Sequence, residues 1–260
     1  MNNTLPLRLK RRAFNAFPAH GRLPLRVWWM RATRTLEPEV REMTRVCDPG
    51  GTALDIGANH GVYSYFMVKH FGRVVAFEPQ PACCETLRSW AGDRVEVRSI
   101  ALSDRDGTSV LSVPVVDGVA MTGYARLGDT ASSGNVTMDV PVERLDDQKL
   151  TDVRFVKIDV EGHELSVLRG GDELLARDRP MLLVEIEQRH LGDQRRVSDV
   201  VEHLTSRGYG CFFRLDGSWC GFDQFRPEAH QDEAAVGTRR YVSMFLFMPD
   251  GRDPSTRVPT

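Results

Sequence analysis

The chain has 260 residues with a net charge of −2, 41% hydrophobic and 27% charged residues. That gives room for one large α/β domain with a sizeable core, and the near-neutral balance supplies no global field for a nucleic-acid partner. Five cysteines (Cys47, Cys83, Cys84, Cys211, Cys220) without CxxC spacing argue against a disulfide framework or structural zinc, and for a reducing compartment.

Residues 1–45 read as a basic N-terminal helical extension. Arg8, Lys10, Arg11, Arg12, Arg22, Arg26, Arg31 and Arg34 occur before the first acid, Glu37, interleaved with Leu5, Leu7, Leu9, Phe14, Phe17, Trp28 and Trp29. Two readings stay open. The segment is an arm that lies on an anionic membrane or covers a substrate, or its aromatics pack on the domain and its arginines are solvated. No apolar run approaches the length of a membrane span, and prolines and charges interrupt any signal-like core. A cytoplasmic location is expected, with peripheral membrane contact through the arm as an open addition. Glu37 to Val46 then reads as a helix, followed by the turn Asp48-Pro49-Gly50-Gly51.

Thr52 to Ser64 carries the densest signal. An apolar run ends in Asp55 and passes through Ile56-Gly57-Ala58-Asn59-His60-Gly61 into a segment of helical spacing. This is the strand, Gly-rich turn and helix opening of a doubly wound α/β domain. Asn59 stands where a dinucleotide fingerprint carries its second Gly, the residue that lets a pyrophosphate approach the backbone. Asp-x-Gly-x-Asn-x-Gly therefore favours S-adenosylmethionine over a nicotinamide dinucleotide, with Asp55 placed to receive the ammonium. Arg73 to Pro79 is a second strand ending in Glu78, where a carboxylate accepts hydrogen bonds from both ribose hydroxyls.

Pro81 to Trp90 reads as a helix and Val95 to Leu102 as a third strand, closing at Ser103-Asp104 beside the adenine edge. Residues 105–145 are short alternating runs punctuated by glycines, antiparallel hairpin material inserted between parallel strands. Their tip, Met121-Thr122-Gly123-Tyr124, is a candidate acceptor loop. Val153 to Asp159 is the fourth parallel strand and leads into Val160-Glu161-Gly162-His163-Glu164 and a helix through Leu168. Met181 to Glu187 is the fifth. A helix over Val200–Ser206 and two antiparallel edge strands, Gly210–Leu215 and Tyr241–Met248, complete a domain over 46–250. Residues 251–260 form a frayed tail.

Acids thus gather at the carboxyl ends of the strands, where open parallel sheets bind ligands. Asp159, Glu161 and His163 are the candidate catalytic residues, because a hydroxyl acceptor must lose its proton as it attacks a methyl group. Asp159 alternatively binds the ammonium or caps the following helix, and His163 is alternatively structural. Glu164 is expected to face solvent or to pair with Lys157 or Arg169. Asp159 with Glu185 or Glu187 offers oxygens to Mg²⁺, but no ligand spacing is diagnostic, so no metal site is assigned.

Leu54–Gly61, Phe77-Glu78-Pro79, Ala101–Asp104, Arg144–Asp147, Lys157–Glu164, Leu168–Gly171 and Leu183–Glu187 occur in this order. In that combination the chain resembles the FkbM-family S-adenosylmethionine-dependent methyltransferases. The resemblance implies a Rossmann-like methyltransferase fold and O-methylation of a glycan, glycolipid or natural-product hydroxyl. It places the cofactor against Asp55, Gly57, Ala58, Asn59, Gly61, Tyr63, Ser64, Glu78, Pro79, Ala101, Leu102, Ser103 and Asp104. The alternatives are a catalytically silent cofactor-binding module and, against the Asn59 argument, a nicotinamide-dependent oxidoreductase.

Overall fold

A computed structural model describes residues 16–256 apart from 129–133, 193, 237, 239 and 250. Arg8, Lys10, Arg11, Arg12, Leu5, Leu7, Leu9 and Phe14 of the basic arm lie outside the described residues. The chain enters through α1 (Ala19–Ala32) and α2 (Glu39–Val46). Leu23 and Val27, one turn apart on α1, are fully buried in an apolar cluster with Phe66, Leu87 and Trp90. Trp28 and Trp29 are each 61% exposed, which corrects the reading that packed them on the domain. The next positions after a buried Val27 turn about 100° and then 200° around the helix, away from the cluster.

β1 (Thr52–Ile56), α3 (Val62–Met67), β2 (Arg73–Phe77), α4 (Pro81–Ala91) and β3 (Glu96–Arg98) follow. β3 pairs parallel with β2 from Val75 to Phe77. The expected third strand over Val95–Leu102 is divided. Beyond Phe77 the neighbouring strand gives way to Glu78 and Pro79, and proline has no donor to extend the ladder. From Ala101 the chain takes new partners as β4 (Ala101–Ser103), in a second sheet with β5 (Gly107–Val113), β8 (Arg126–Leu127) and β9 (Val136–Arg144), ordered β4-β9-β5-β8. β5 and β9 form the expected hairpin, in register from Gly107↔Val142 to Val113↔Val136. Two short strands, β6 (Val115–Val116) and β7 (Val119–Ala120), precede the tip turn Thr122–Tyr124.

The chain returns to the main sheet as β10 (Val153–Ile158), followed by α5 (Glu164–Arg169), α6 (Asp172–Asp178), β11 (Met181–Glu185), α7 (Gln188–Leu191) and α8 (Val197–Thr205). β12 (Tyr209–Leu215), β13 (Ser218–Gly221), α9 (Pro227–His230) and β14 (Met244–Pro249) complete it. The main sheet runs β13-β12-β14-β11-β10-β1-β2-β3, with β11 through β3 parallel and β14, β12 and β13 antiparallel at the edge. This is the mostly parallel, doubly wound sheet the sequence indicates. β1 is buried at every residue, as a strand covered on both faces must be. Leu54, Ile56, Val156 and Ile158 fill one layer, and Ala53, Phe155 and Leu183 the other.

β13 has no counterpart in the sequence reading. Its signal is Asp216-Gly217, both at positive φ, between the paired residues Leu215 and Ser218. That is a two-residue hairpin turn. The tail also departs from a fully frayed segment: Pro254–Thr256 form a 3₁₀ turn with Pro254 buried. The strand order reverses around β1, whose neighbours are β2 on one side and β10 on the other. A crevice opens above their carboxyl ends.

Candidate functional site

The floor of the crevice is two turns in backbone contact. Gly57 has φ +76°, and a Cβ built on it would lie 1.8 Å from the Asp159 carbonyl oxygen. Only glycine admits the loop after β10 so close to the loop after β1. Hydrogen bonds join these turns to the neighbouring strands: Gly57 N–H and Ala58 N–H donate to Phe77 O, and Asp159 N–H donates to Ile56 O. Gly61, also at positive φ, is overlaid by Leu87 and by Leu23 of α1.

Glu78 is the hinge of one wall. Its Oε2 accepts from Asn59 N–H at 2.7 Å and its Oε1 from Gln80 N–H at 2.8 Å. Burial raises its carboxyl to about 7, against the opposing effect of those two donors. Each carboxylate oxygen keeps a second lone pair, so the group that organises the loops can still accept hydrogen bonds from a ligand. The tip turn closes above it. Gln80 Nε2 donates to Thr122 O at 3.0 Å, and Thr122 Oγ1 donates to Asn59 Oδ1 at 3.3 Å. Ile100, Leu102, Leu111 and Leu127 add an apolar slot. The cleft is bordered by Gly57, Asn59, Glu78, Pro79, Ala101, Leu102, Asp159, Glu161 and His163 among the expected residues.

Other expected residues stand behind this wall. Asp55 is buried, and its Oδ2 accepts from Ser64 N–H at 2.9 Å and Ser64 Oγ–H at 2.6 Å. It ties α3 to the end of β1. Burial raises its carboxyl above the usual range, opposed by Lys157 and Ser64. Tyr63 donates its hydroxyl to Glu37 Oε2 at 2.5 Å, linking the N-terminal segment to the domain. Ser103 Oγ meets His163 Nε2 at 2.9 Å and donates to Asp104 Oδ1 at 3.2 Å. None of Asp55, Ala58, Gly61, Tyr63, Ser64, Ser103 or Asp104 borders the cleft.

The three candidate catalytic groups differ in surroundings. Asp159 Oδ2 lies 2.7 Å from Lys157 Nζ, and the Asp159 side chain is 32% exposed while that of Lys157 is 2% exposed. Burial alone would lower the Lys157 ammonium, but Asp159, Glu185, Glu37 and Asp55 together hold it above the usual lysine range. Glu185 is pushed well up by burial and by the negative charge of Asp159. Glu161 sits at φ +51°, a backbone strain in a cleft residue, and its Oε2 lies 2.6 Å from His190 Nδ1. Burial lowers His163 to about 4, so it is neutral near pH 7 and weakly basic.

Glu164 corrects its expectation. It is buried rather than solvated, pairs with neither Lys157 nor Arg169, and folds back so that Oε1 accepts Gly162 N–H at 2.8 Å. The loop needs that bond because Gly162, at φ +97°, is pressed against His190 O. For the Mg²⁺ alternative, the positive charge facing Asp159 and Glu185 is Lys157. Among the described residues no group of three or more His, Cys, Asp or Glu is arranged to hold a metal ion.

Lys157, Gln80 and His190 were not singled out as site residues. For Lys157 the signal was present, since a lysine inside the apolar run Phe155-Val156-Lys157-Ile158 must find a carboxylate when buried. Gln80 and His190 act through loop geometry that no local pattern encodes.

The profile of the methyltransferase FkbM domain matches residues 55–211. The chain is 30% identical to the methyltransferase sdnD of Sordaria araneosa, over 46% of this chain and 60% of that protein. It is likewise 30% identical to the 2-O-methyltransferase NoeI of Sinorhizobium fredii (strain NBRC 101917 / NGR234), over 50% of this chain and 61% of that protein. The chain thus spans about three fifths of the length of these curated relatives. A crystal structure of the methyltransferase FkbM from Methylobacillus flagellatus KT covers 76% of this chain and 43% of its own, at 18% identity and a TM-score of 0.47. With its own domain profile matched across more than half its length, the chain belongs to the FkbM methyltransferase family.

Proposed function

We propose that the chain is an S-adenosylmethionine-dependent O-methyltransferase acting on a hydroxyl of a glycan, glycolipid or natural product. One observation carries the reading: Glu78, the Gly57–Asn59 turn and Asp159 converge on one cleft at the reversal of strand order.

The residues fit the cofactor. Glu78 has free lone pairs at the end of β2 for the ribose hydroxyls, and Ile100, Leu102, Leu111 and Leu127 suit the adenine face. Asn59, rather than a glycine, suits a ligand without a pyrophosphate. The polar end of the cleft at Asp159 suits the cationic methionine portion. When bound, the cofactor supplies an electrophilic methyl group on a positively charged sulfur.

The chain's own contribution is alignment and a proton acceptor. Of the three candidates, Asp159 combines a place on the cleft with an anchored carboxylate, since Lys157 fixes Oδ2. Asp159 takes the acceptor's hydroxyl proton. Glu161, held by His190, and the tip turn at Thr122 position the acceptor. His163, weakly basic and bonded to Ser103, supports the wall. The curated relative whose name carries a 2-O-methyl transfer supports an oxygen acceptor.

Calorimetry with S-adenosylhomocysteine, together with methyl transfer to a panel of hydroxylated glycans and glycolipids, tests this. Binding plus turnover that Asp159→Asn abolishes is the expected result. Binding without turnover on any hydroxyl acceptor favours the silent module. Binding of NAD in place of S-adenosylhomocysteine overturns the reading.

A further inference from the structure

We infer that the outward face of α1 docks on an anionic lipid bilayer. The inference rests on α1 alone and stands apart from the reading of the cleft.

α1 is apolar on two sides. Leu23 and Val27 fill the side that packs on the domain. At about 100° per residue, Leu25, Trp28, Trp29 and Ala32 take the opposite side. Trp28 and Trp29 are each 61% exposed, and Phe17, just before the helix, is 48% exposed. Two large apolar side chains thus face outward from the helix. Exposed apolar surface of this kind marks an interaction site.

Charge identifies the occupant. Arg22 and Arg31 flank the indoles on either side of the helix, and Arg34 follows at its end. Arg31 and Arg34 are exposed; the Arg31 guanidinium lies 5.2 Å from the centre of the Phe66 ring. Residues 1–36 contain eight basic side chains and no Asp or Glu. The first acid, Glu37, is engaged by Tyr63. A second copy of this face would bring arginine against arginine, whereas an anionic surface attracts them all. Tryptophan at headgroup depth with arginines at its flanks is the pattern of a helix lying in the interface. No helix among the described residues is long and apolar enough to cross a membrane, so the contact is one-sided.

The test is co-sedimentation of the full chain with vesicles of phosphatidylcholine alone or with about one third phosphatidylglycerol, read with tryptophan fluorescence. Expected are sedimentation with the anionic vesicles only, a blue shift, and loss of binding as salt rises from about 50 to 500 mM. Trp28→Ala/Trp29→Ala should weaken partition about tenfold or more and remove the blue shift. Arg31→Gln/Arg34→Gln should weaken it about fivefold for each charge. Trp28→Ala/Trp29→Ala should keep the parent melting temperature, because both indoles are exposed, and Arg31→Gln/Arg34→Gln should lower it only slightly, by loss of the Arg31–Phe66 contact. Absence of sedimentation at low salt, or sedimentation indifferent to the tryptophan substitutions, overturns the proposal. A concentration-dependent dimer that Trp28→Ala/Trp29→Ala dissolves, without vesicle binding, overturns it in favour of contact between copies.

Discussion

The buried Lys157 ammonium lies 2.7 Å from Asp159 Oδ2, and the carboxylate it holds is the one that opens on the cleft. Structure and chemistry separate at this pair. Replacing Lys157 by Met removes the cation facing Asp159, Glu185 and Asp55, and should cost about 3–5 kcal/mol in urea unfolding. Asp159→Asn leaves Glu185 and Asp55 facing Lys157, so it should cost less stability than Lys157→Met but lower turnover about 10²-fold or more. S-adenosylhomocysteine affinity should fall less than turnover, through the lost attraction for its ammonium. His163→Ala, removing a weak base, should move turnover less than Asp159→Asn. The opposite order would transfer the proton to the histidine.

Glu78 accepts hydrogen bonds from the Asn59 and Gln80 N–H groups and, in the proposed function, from the ligand as well. Glu78→Ala should therefore lose more than ribose contacts, with S-adenosylhomocysteine affinity falling about 30- to 1000-fold. Hydroxyl donors favour the ionised carboxylate, and this one titrates at about 7. Affinity should rise as pH goes from 6 to 8 in the parent and stay flat in Glu78→Gln. A parent profile as flat as the variant's would remove the carboxylate from the ligand site.

Much of this was legible before any coordinates. Four of the five parallel strands, β1, β2, β10 and β11, were written as apolar runs with an acid at or beside the carboxyl end, and the insertion as alternation broken by glycines. What escaped was pairing rather than propensity. Val95–Leu102 reads as one strand because nothing local states that β2 ends at Pro79. The two tryptophans read as core because hydrophobicity does not specify which side of α1 meets the domain. Glu164 reads as solvated, since its true partner is a backbone N–H exposed by the Gly162 turn. Asp159, Glu161 and His163 were found together as a motif, but their different settings depend on residues distant in sequence: Glu185, His190 and Ser103.

The contact between Gly57 and Asp159 makes a sharp test of the floor. Gly57→Ala must hold φ +76° and place a methyl 1.8 Å from a carbonyl oxygen unless the loops part. The strain alone costs about 1–2 kcal/mol, and overpacking adds about 1–3. Parting the loops also moves Asp159, so cofactor binding should fall with stability. Gly21→Ala, in a helix with nothing within 4 Å of the new Cβ, should instead gain about 0.5–1 kcal/mol. Equal behaviour of the two variants in thermal unfolding would deny the backbone contact.

Glu164 gives a prediction in pH that needs no ligand. Burial raises its carboxyl from 4.5 to about 7, and Oε2 has no hydrogen-bond partner. Between those values the folded protein keeps a proton that the unfolded chain has released. Folding then binds more protons than unfolding, so this group's contribution to stability is present below pH 4.5 and is lost as pH rises through 7. The shift corresponds to about 3 kcal/mol. Glu164→Gln retains an oxygen for Gly162 N–H and carries no titrating proton. Relative to the parent it should gain about 3 kcal/mol between pH 4.5 and 7.5. Glu78 and His163 titrate in both proteins and cancel in the difference. Urea melts of the pair at pH 4.5, 6 and 7.5 measure it. Parallel stability curves across that range would mean that the Glu164 carboxyl is ionised at little cost in the fold, and that the orphaned oxygen is solvated.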